Sequence, residues 1–296
     1  ITNATILKNV NNNDVTLTLY AHNDIFIEDS SLTSTENSLN IVLNSDRDAS
    51  SVGRIRVDNS TISTNGGFLV AGGGDGDLGG ANGIFGDGDG TGADDGYAYA
   101  TTSSGVGIVD SAITTSGGDI FLKGYGVGGS TDGVGIYESD LTSDGGRISI
   151  TGYTTATSST PSAVFIWGNS SDITTISSGA GDIDITGVAT NGTGIYLWED
   201  TSILATDGDI SITASAPSDD DIILAGFSLL HTIESTNGNV TLKIDDGQLD
   251  EFNEIAAGDT LSIFTYTPTT SIGIGGGAGD LQLTTDILAL LSAGNK

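Results

Sequence analysis

The sequence predicts an all-β protein: a right-handed parallel β-helix with three faces and about 29 residues per coil, carrying one Gly/Asp-rich insertion. Short segments that alternate apolar and polar residues, bounded by Gly, Asp, Asn or Ser, are typical of β-strands. Three different segments of this kind recur with one shared spacing, which an antiparallel sandwich does not explain. A repeat built from helices would show an apolar stripe of period 3.6, and none is present before the last dozen residues.

The first recurring motif is a turn with Gly and Asp followed by Ile-x-Ile or Ile-x-Leu. Its anchors are 27 to 35 residues apart, at Ile120, Ile148, Ile183, Ile210 and Val240. A second motif supplies the apolar pairs Ile25/Ile27, Ile55/Val57, Val106/Ile108, Val134/Ile136, Val164/Ile166 and Thr193/Ile195. A third, Ser/Asp-Ile/Leu-Thr, lies at Leu32, Ile62, Ile113, Leu141, Ile173, Ile203 and Ile233. Three strands per coil, repeated about seven times, describe a solenoid.

Stacking explains why apolar residues recur at these positions. Coils about 4.8 Å apart place equivalent side chains above one another, so the anchors form inward columns. A fully buried Ile contributes roughly 1.5–3 kcal/mol, and no coil can bury its own face alone. Glycines at one recurring corner are expected to supply positive φ, at Gly117, Gly118, Gly145, Gly146 and Gly208.

The chain is expected to divide into three parts. Residues 1–14 form an incoming coil or cap, and residues 15–265 form one continuous β-helix with an insertion at 72–96. Residues 266–296 form a terminal coil, in which the helix-like stretch 286–291 either caps the last coil or begins a continuing repeat. Since neither an initiator Met nor a signal peptide is present, we expect a mature or excised piece of a longer chain.

Composition excludes several classes of function. With 39 Asp and Glu against 8 Lys and Arg, the net charge of −31 would repel a phosphate backbone, so we expect no nucleic-acid partner. No apolar run reaches the roughly 18 residues of a membrane helix, so we expect no membrane span in this segment. The absence of Cys excludes disulfides and thiol chemistry. High charge and few aromatics also fit a disordered acidic chain, but the ordered repeat decides against disorder.

The Gly/Asp-rich insertion is a candidate calcium site, the one cofactor that we consider. Calcium prefers six to eight oxygen ligands from carboxylates and carbonyls on a tightly turning chain. A flexible, solvated insertion is the other interpretation, because the 12-residue helix-flanked loop is absent. The candidate ligands are Asp75, Asp77, Asp87, Asp89, Asp94 and Asp95.

Two polar columns also recur. Asp119, Asp182 and Asp209 occupy equivalent positions, where their carboxylates either accept hydrogen bonds from turn amides or share a cation, and Arg147 replaces one member. A hydroxyl column resembles the flat ladders of ice-binding β-helices, although structural hydrogen bonding is the favoured interpretation. Its members are Thr33, Ser63, Thr114, Thr142 and Thr174.

The candidate most specific to this chain is an aromatic stripe. If the Val and Ile residues of the second motif point inward, alternation turns neighbouring aromatics outward on one face. Such a stripe could stack sugar rings or bind an apolar partner surface, unless the loop at 124–132 or 153–162 folds over it. The stripe consists of Tyr137, Phe165, Trp167, Tyr196 and Trp198.

Three features recur over residues 13–245: the Gly-Asp-Ile-x-Ile-Thr motif, the Ser-x-Ile-Thr-Thr link and the long Ser/Thr/Gly loops. In these features the repeats resemble those of large bacterial exoproteins of the filamentous-haemagglutinin-like, two-partner-secretion and autotransporter-passenger type. The resemblance implies a secreted or cell-surface shaft without enzymatic activity, used for adhesion or aggregation. Its expected partner is an extracellular glycan or surface protein.

Two alternatives remain open. Exposed strand edges at both ends of a solenoid favour stacking of copies end to end, as in an extracellular filament or sheath. Parallel β-helices also include polysaccharide lyases and hydrolases, which use clustered carboxylates and an Arg or Lys base. No triad, phosphate-binding loop or dinucleotide motif is present, so an enzyme is the lower alternative.

Overall fold

The protein is described by a computed structural model. It describes residues 1–9, 13–48, 50–74, 97–129, 131–155, 161–225, 231–249 and 252–294.

Three parallel sheets are stacked along the chain, and each coil contributes one strand to each sheet in turn. Sheet 1 contains β3 (Ile25–Glu28), β6 (Ile55–Asp58), β10 (Ser103–Val109), β13 (Thr131–Tyr137), β16 (Ser162–Trp167), β19 (Thr193–Trp198), β22 (Ile222–Ala225) and β25 (Gly247–Gln248). Sheet 2 contains β1 (Thr5–Lys8), β4 (Ser31–Ser34), β7 (Thr61–Ser63), β11 (Ala112–Thr114), β14 (Asp140–Thr142), β17 (Thr174–Gly179), β20 (Thr201–Ala205), β23 (His231–Ser235), β26 (Phe252–Ala257) and β30 (Leu291–Ala293). Sheet 3 contains β2 (Val15–Tyr20), β5 (Leu39–Ser45), β8 (Leu69–Gly73), β12 (Ile120–Gly126), β15 (Ile148–Thr154), β18 (Ile183–Ala189), β21 (Ile210–Ser215), β24 (Val240–Lys243) and β27 (Leu261–Phe264). This arrangement confirms the predicted parallel β-helix.

Sheet 3 is interrupted once, where the sequence predicts the insertion. Strand β8 ends at Gly73, and a further strand, β9 (Ala98–Ala100), joins the same sheet. Both pair with β12: β8 with its first half and β9 with its second half. Strands β8 and β9 therefore lie in the same rung of sheet 3.

The core is a set of apolar columns that follow the strand register. Ile120 pairs with Ile148, then Ile183, Ile210 and Val240, and all five are at most 1% exposed. The second column is also buried, and it contains Leu122, Ile150, Ile185, Ile212 and Leu242. These are the inward columns predicted from the first motif. Each member removes apolar surface from water only because a neighbouring coil covers it.

The third motif requires one correction. Leu141 pairs with Ile176, and Ile173 is 41% exposed, so Ile173 does not occupy the buried column. The segment Ile173-Thr174-Thr175-Ile176 contains two Ile residues three apart, and the sequence alone favours the wrong one. The described strands also exceed the predicted seven coils, because sheet 2 alone contains ten.

Glycine is required at one corner by close approach of stacked backbone. A Cβ at Gly118 would lie 2.0 Å from the carbonyl oxygen of Gly67, one coil earlier. Equivalent contacts of 2.1 Å and 1.9 Å occur at Gly146 and Gly208. Positive φ, which the sequence predicts for all these glycines, is found at Gly117 and Gly145. Close packing therefore explains the second glycine of each pair.

A buried ladder of hydroxyl groups joins the coils at the corner between sheets 1 and 2. The amide of Ser60 donates to Ser111 Oγ at 3.0 Å, and the amide of Ser111 donates to Ser139 Oγ at 3.0 Å. The residue preceding each of these hydroxyls has positive φ: Asn59, Asp110 and Glu138. The hydroxyl groups thus satisfy amides that the turn removes from the sheet.

The C-terminal end of the β-helix is covered by a short helix. Helix α1 (Thr285–Leu290) follows the small parallel pair β28 (Ile272–Ile274) and β29 (Leu281–Leu283). The Thr284 hydroxyl accepts a hydrogen bond from the Ile287 amide and caps the helix. Ile287 is buried and belongs to the main core, and the helix contacts β26 and β30. The helix packs against β26, and the strand that follows it, β30, continues sheet 2, so the stretch has features of both predicted alternatives.

The glycine corner gives a stability prediction. We expect Gly118→Ala to lower the free energy of unfolding by about 3 kcal/mol, because the new methyl group overlaps the carbonyl of the coil below. Gly107→Ala is the control, since the nearest atom to its Cβ would be Ser104 Cβ at 3.9 Å. We expect it to change stability by less than about 0.5 kcal/mol. Urea unfolding of both variants checks this, and equal effects would contradict it.

Candidate functional site: the aromatic stripe on sheet 1

The aromatic stripe lies on the outward face of sheet 1. Tyr137, Trp167 and Trp198 are in register on β13, β16 and β19. Phe165 and Tyr196 form a second column beside them, two residues earlier on each strand. Their inward neighbours Val164 and Ile166, and Ile195 and Leu197, are buried in the core. Strand alternation thus places the five rings outward.

The five rings form one continuous chain of contacts across three coils. Tyr137 meets Phe165 edge-on, with ring centroids 5.4 Å apart, and meets Trp167 at 6.2 Å. Phe165 and Tyr196 are 5.4 Å apart, as are Tyr196 and Trp198. All five rings are half-buried. Edge and tilted contacts of this kind fix the rings relative to one another and leave part of each accessible.

A cleft of about 320 Å³, which we call the Gly107 cleft, adjoins the stripe on its N-terminal side. The Phe165 column continues toward the N-terminus as Gly135, Gly107 and Arg56. The Tyr137 side chain lies over Gly135, where a Cβ would be 2.6 Å from Tyr137 Oη, whereas the space above Gly107 is open. The cleft is lined by Arg54, Ile55, Arg56, Ser103, Ser104, Gly107, Val109, Tyr137 and Trp167.

The arginines of the Gly107 cleft are paired with carboxylates. Arg56 Nη2 lies 2.7 Å from Asp58 Oδ2, and Arg54 Nε lies 3.6 Å from Asp24 Oδ2. The Arg54 guanidinium also lies 5.1 Å from the centre of the Phe26 ring. These contacts neutralise the local charge and hold both side chains against the sheet.

A second cleft, the Asp132 cleft, adjoins the C-terminal side of the stripe and has a volume of about 580 Å³. Both volumes fall in the range of ligand sites. It is lined by Asp132, Phe165, Thr193, Tyr196, Trp198, Asp219, Asp220, Ile223 and Gln248. The aromatic stripe therefore connects a locally neutral cleft with an acidic one.

Asp132 and Tyr137 form a hydrogen-bonded pair at the edge of the stripe. Tyr137 Oη donates to Asp132 Oδ2 at 3.0 Å and lies 3.3 Å from Ser104 Oγ, while the Ser162 amide donates to Asp132 Oδ1 at 2.8 Å. Burial raises the pKa of Asp132 to about 6, and these two hydrogen bonds offset part of the effect. Burial, with Asp132 nearby, also raises the pKa of the Tyr137 hydroxyl well above its usual range.

The other predicted sites have different outcomes. The candidate calcium ligands Asp75, Asp77, Asp87, Asp89, Asp94 and Asp95 all lie outside the described residues. Within the described ranges, no three His, Cys, Asp or Glu side chains are grouped so that they could hold a metal ion. Calcium binding by the insertion remains a prediction.

The Asp column is engaged in turn hydrogen bonds. Asp119 Oδ1 accepts from the Arg147 amide at 2.8 Å, and Asp182 Oδ1 accepts from the Asp209 amide at 2.9 Å. The Arg147 guanidinium contacts Asp184, with Nε 2.7 Å from Oδ2, rather than Asp119 or Asp182. Each carboxylate thus caps the backbone of the next coil, as one of the two interpretations predicts.

The predicted hydroxyl column is wrong at one position. Thr142 pairs with Ser177, so Ser177 continues the column of Thr33, Ser63 and Thr114. Thr174 belongs to the buried ladder instead, because its Oγ1 accepts a hydrogen bond from the Ser139 amide at 3.3 Å. Both errors, at Ile173 and at Thr174, arise because the sequence pattern places Ile173 in the buried column in place of Ile176.

Sequence reasoning missed the polar residues that flank the stripe. Alternation from Val134 and Ile136 predicts an inward Asp132, and nothing in the pattern indicates its contact with Tyr137. Asp219, Asp220 and Gln248 lie in turns or at strand ends, where Asp is abundant throughout the chain. The one signal in the sequence that could have identified these polar residues is that they lie one coil away from a strand with aromatic residues.

Comparisons with protein families, with curated proteins and with solved structures find no match to this chain. Among the described residues, no helix has the length and apolar character needed to cross a membrane. The proposed function therefore rests on the geometry of the surface.

The pKa of Asp132 gives a prediction about pH. The folded protein holds this proton more tightly than the unfolded chain, whose carboxyl titrates near 3.8. The resulting stabilisation is complete below about pH 4 and is lost as pH rises through about 6. Asp132→Asn should therefore gain stability relative to the parent protein between about pH 4 and about pH 7. Thermal unfolding across this pH range tests the prediction, with the exposed Asp259→Asn as the control. A stability difference between Asp132→Asn and the parent protein that stays constant with pH would contradict it.

Proposed function

We propose that the chain is a non-enzymatic β-helical shaft, secreted or displayed at a cell surface, that mediates adhesion or aggregation by binding extracellular polysaccharide along sheet 1. The aromatic stripe carries this proposal. Five half-buried rings in mutual contact, with a cleft on either side, form an extended platform. Aromatic platforms stack against the apolar faces of sugar rings with little loss of side-chain entropy.

The spacing of the coils supports an extended ligand. Stacked rungs are about 4.8 Å apart, close to the length of one pyranose unit in an extended chain. Gly107, Gly135, Phe165, Tyr196 and Ile223 occupy successive rungs of one outward column. A polysaccharide lying along this column would meet one rung per sugar. The resemblance to exoprotein repeats supports a location outside the cell.

The proposal is tested by removing both indoles. We expect Trp167→Ala with Trp198→Ala to lower affinity for bound glycans by at least about tenfold, because each indole supplies stacking area. Phe264→Ala is the matched control, since Phe264 is 54% exposed on sheet 3, away from the stripe. A glycan array identifies ligands of the parent protein, and titration with the best of them measures both variants. Unchanged affinity in a folded double variant would reject the stripe as the binding surface.

A polysaccharide hydrolase is a second candidate, favoured by one observation. Asp132 has a pKa of about 6 beside an aromatic cleft that also contains Asp219 and Asp220. A carboxyl group with a raised pKa is a common general acid in glycoside hydrolysis. Release of reducing ends from the polysaccharide that the protein binds, lost in Asp132→Asn, would support this candidate over simple binding.

The filament alternative has support at both ends of the described β-helix. Strands β1 and β2 present open edges at the N-terminal coil, and Leu7 and Val15 there are exposed. At the other end, β25, β27 and β30 are the last described strands of their sheets, and helix α1 packs against β26 and β30, where end-to-end stacking would have to accommodate it. Electron microscopy of concentrated protein separates the two ideas, since uniform single particles are expected for a shaft that binds glycan.

A further inference from the structure

The Asp132 cleft combines rings with unpaired negative charge. Phe165, Tyr196 and Trp198 line one side of it, and Asp132, Asp219 and Asp220 complete it; its described lining contains neither Lys nor Arg. None of the three carboxylates forms an ion pair with a described cation. This distinguishes the cleft from the Gly107 cleft, where both arginines are paired.

The three carboxylates are held in place by neutral donors. Asp219 Oδ1 accepts from the Asp220 amide at 3.0 Å, and Asp220 Oδ2 accepts from Gln248 Nε2 at 2.9 Å. Asp132 accepts from the Ser162 amide and from Tyr137 Oη. These bonds orient Asp219 and Asp220 without neutralising their charge. Burial raises the pKa of Asp132 to about 6, so Asp219 and Asp220 supply the negative charge of the cleft at mildly acidic pH.

Rings beside carboxylates are complementary to an ammonium group. A cation over the face of Trp or Tyr is attracted by the ring quadrupole, and a carboxylate adds a charge-assisted hydrogen bond. The net charge of −31 also attracts cations to the surface from a distance. A neutral sugar would use the rings but would leave the Asp219 and Asp220 carboxylates without a cationic partner.

We infer that the Asp132 cleft selects a sugar unit with a free, protonated amino group within a polysaccharide lying along the aromatic stripe. This inference rests on the proposed glycan-binding function and names its ligand: a hexosamine polymer that is at least partly deacetylated.

Calorimetric titration at mildly acidic pH tests the inference with three probes: a glucosamine hexamer, an N-acetylglucosamine hexamer and hexalysine. We expect the glucosamine hexamer to bind at least about tenfold more tightly than its acetylated counterpart. Asp219→Asn with Asp220→Asn should remove this preference, because Asn retains the acceptor oxygens but not the charge. The control is Asp140→Asn with Asp259→Asn, which removes two exposed charges elsewhere.

Each other outcome overturns the inference in an identifiable way. Equal binding of the two sugar hexamers, weakened by loss of Trp167 and Trp198, would overturn amino-group selection and leave the proposed function intact. Equal losses of affinity for the glucosamine hexamer in the two double Asn variants would show that the negative charge of the whole protein, and not this cleft, attracts the ligand. Tighter binding of hexalysine, with the same dependence on Asp219 and Asp220, would assign the cleft to a basic peptide. Binding of neither hexamer would overturn the inference, and a glycan array without ligands would overturn the proposed function as well.

Discussion

The fixed register between successive coils is the constraint on which the rest of the structure depends. At the glycine corner the backbone of Gly118 lies so close to Gly67 that no side chain fits between them. At the corner between sheets 1 and 2 the amide of Ser60 donates to the hydroxyl of Ser111 one coil further on. A shift of one residue would break both contacts and turn the buried columns outward. Variation in length is therefore expected where this register is kept on both sides, in the loops between strands and between β8 and β9.

Register also explains how an acidic chain of low sequence complexity acquires a defined surface. Stacking converts recurrence in sequence into columns in space, so that aromatic residues about 30 positions apart become neighbours. Glycine in the same column opens a cleft, as at Gly107. The carboxylates of Asp119 and Asp182 cap turns, whereas those of the Asp132 cleft border the rings. The negative charge thus has a local function at some positions and a general solubilising one elsewhere.

The fold was predictable because its signal is repeated many times, and one error at Ile173 leaves the pattern of the other coils intact. The outward direction of the aromatic stripe followed from strand alternation alone. The contact between Asp132 and Tyr137 was not predictable, since it depends on the absence of a side chain at Gly135. Equally, the buried Ser ladder required knowledge of positive φ at Asn59 and Asp110. Local pattern specifies which face a residue occupies, but contacts between side chains depend on three-dimensional packing.

The interruption between β8 and β9 has a consequence for how such a molecule diversifies. The chain leaves sheet 3 at Gly73 and rejoins it at Ala98, and both strands lie against β12. Material can therefore be gained or lost at this point without changing the number of coils or the pitch of the solenoid. New segments can therefore be inserted at this one rung, and their sequence can change during evolution independently of the β-helix that carries them.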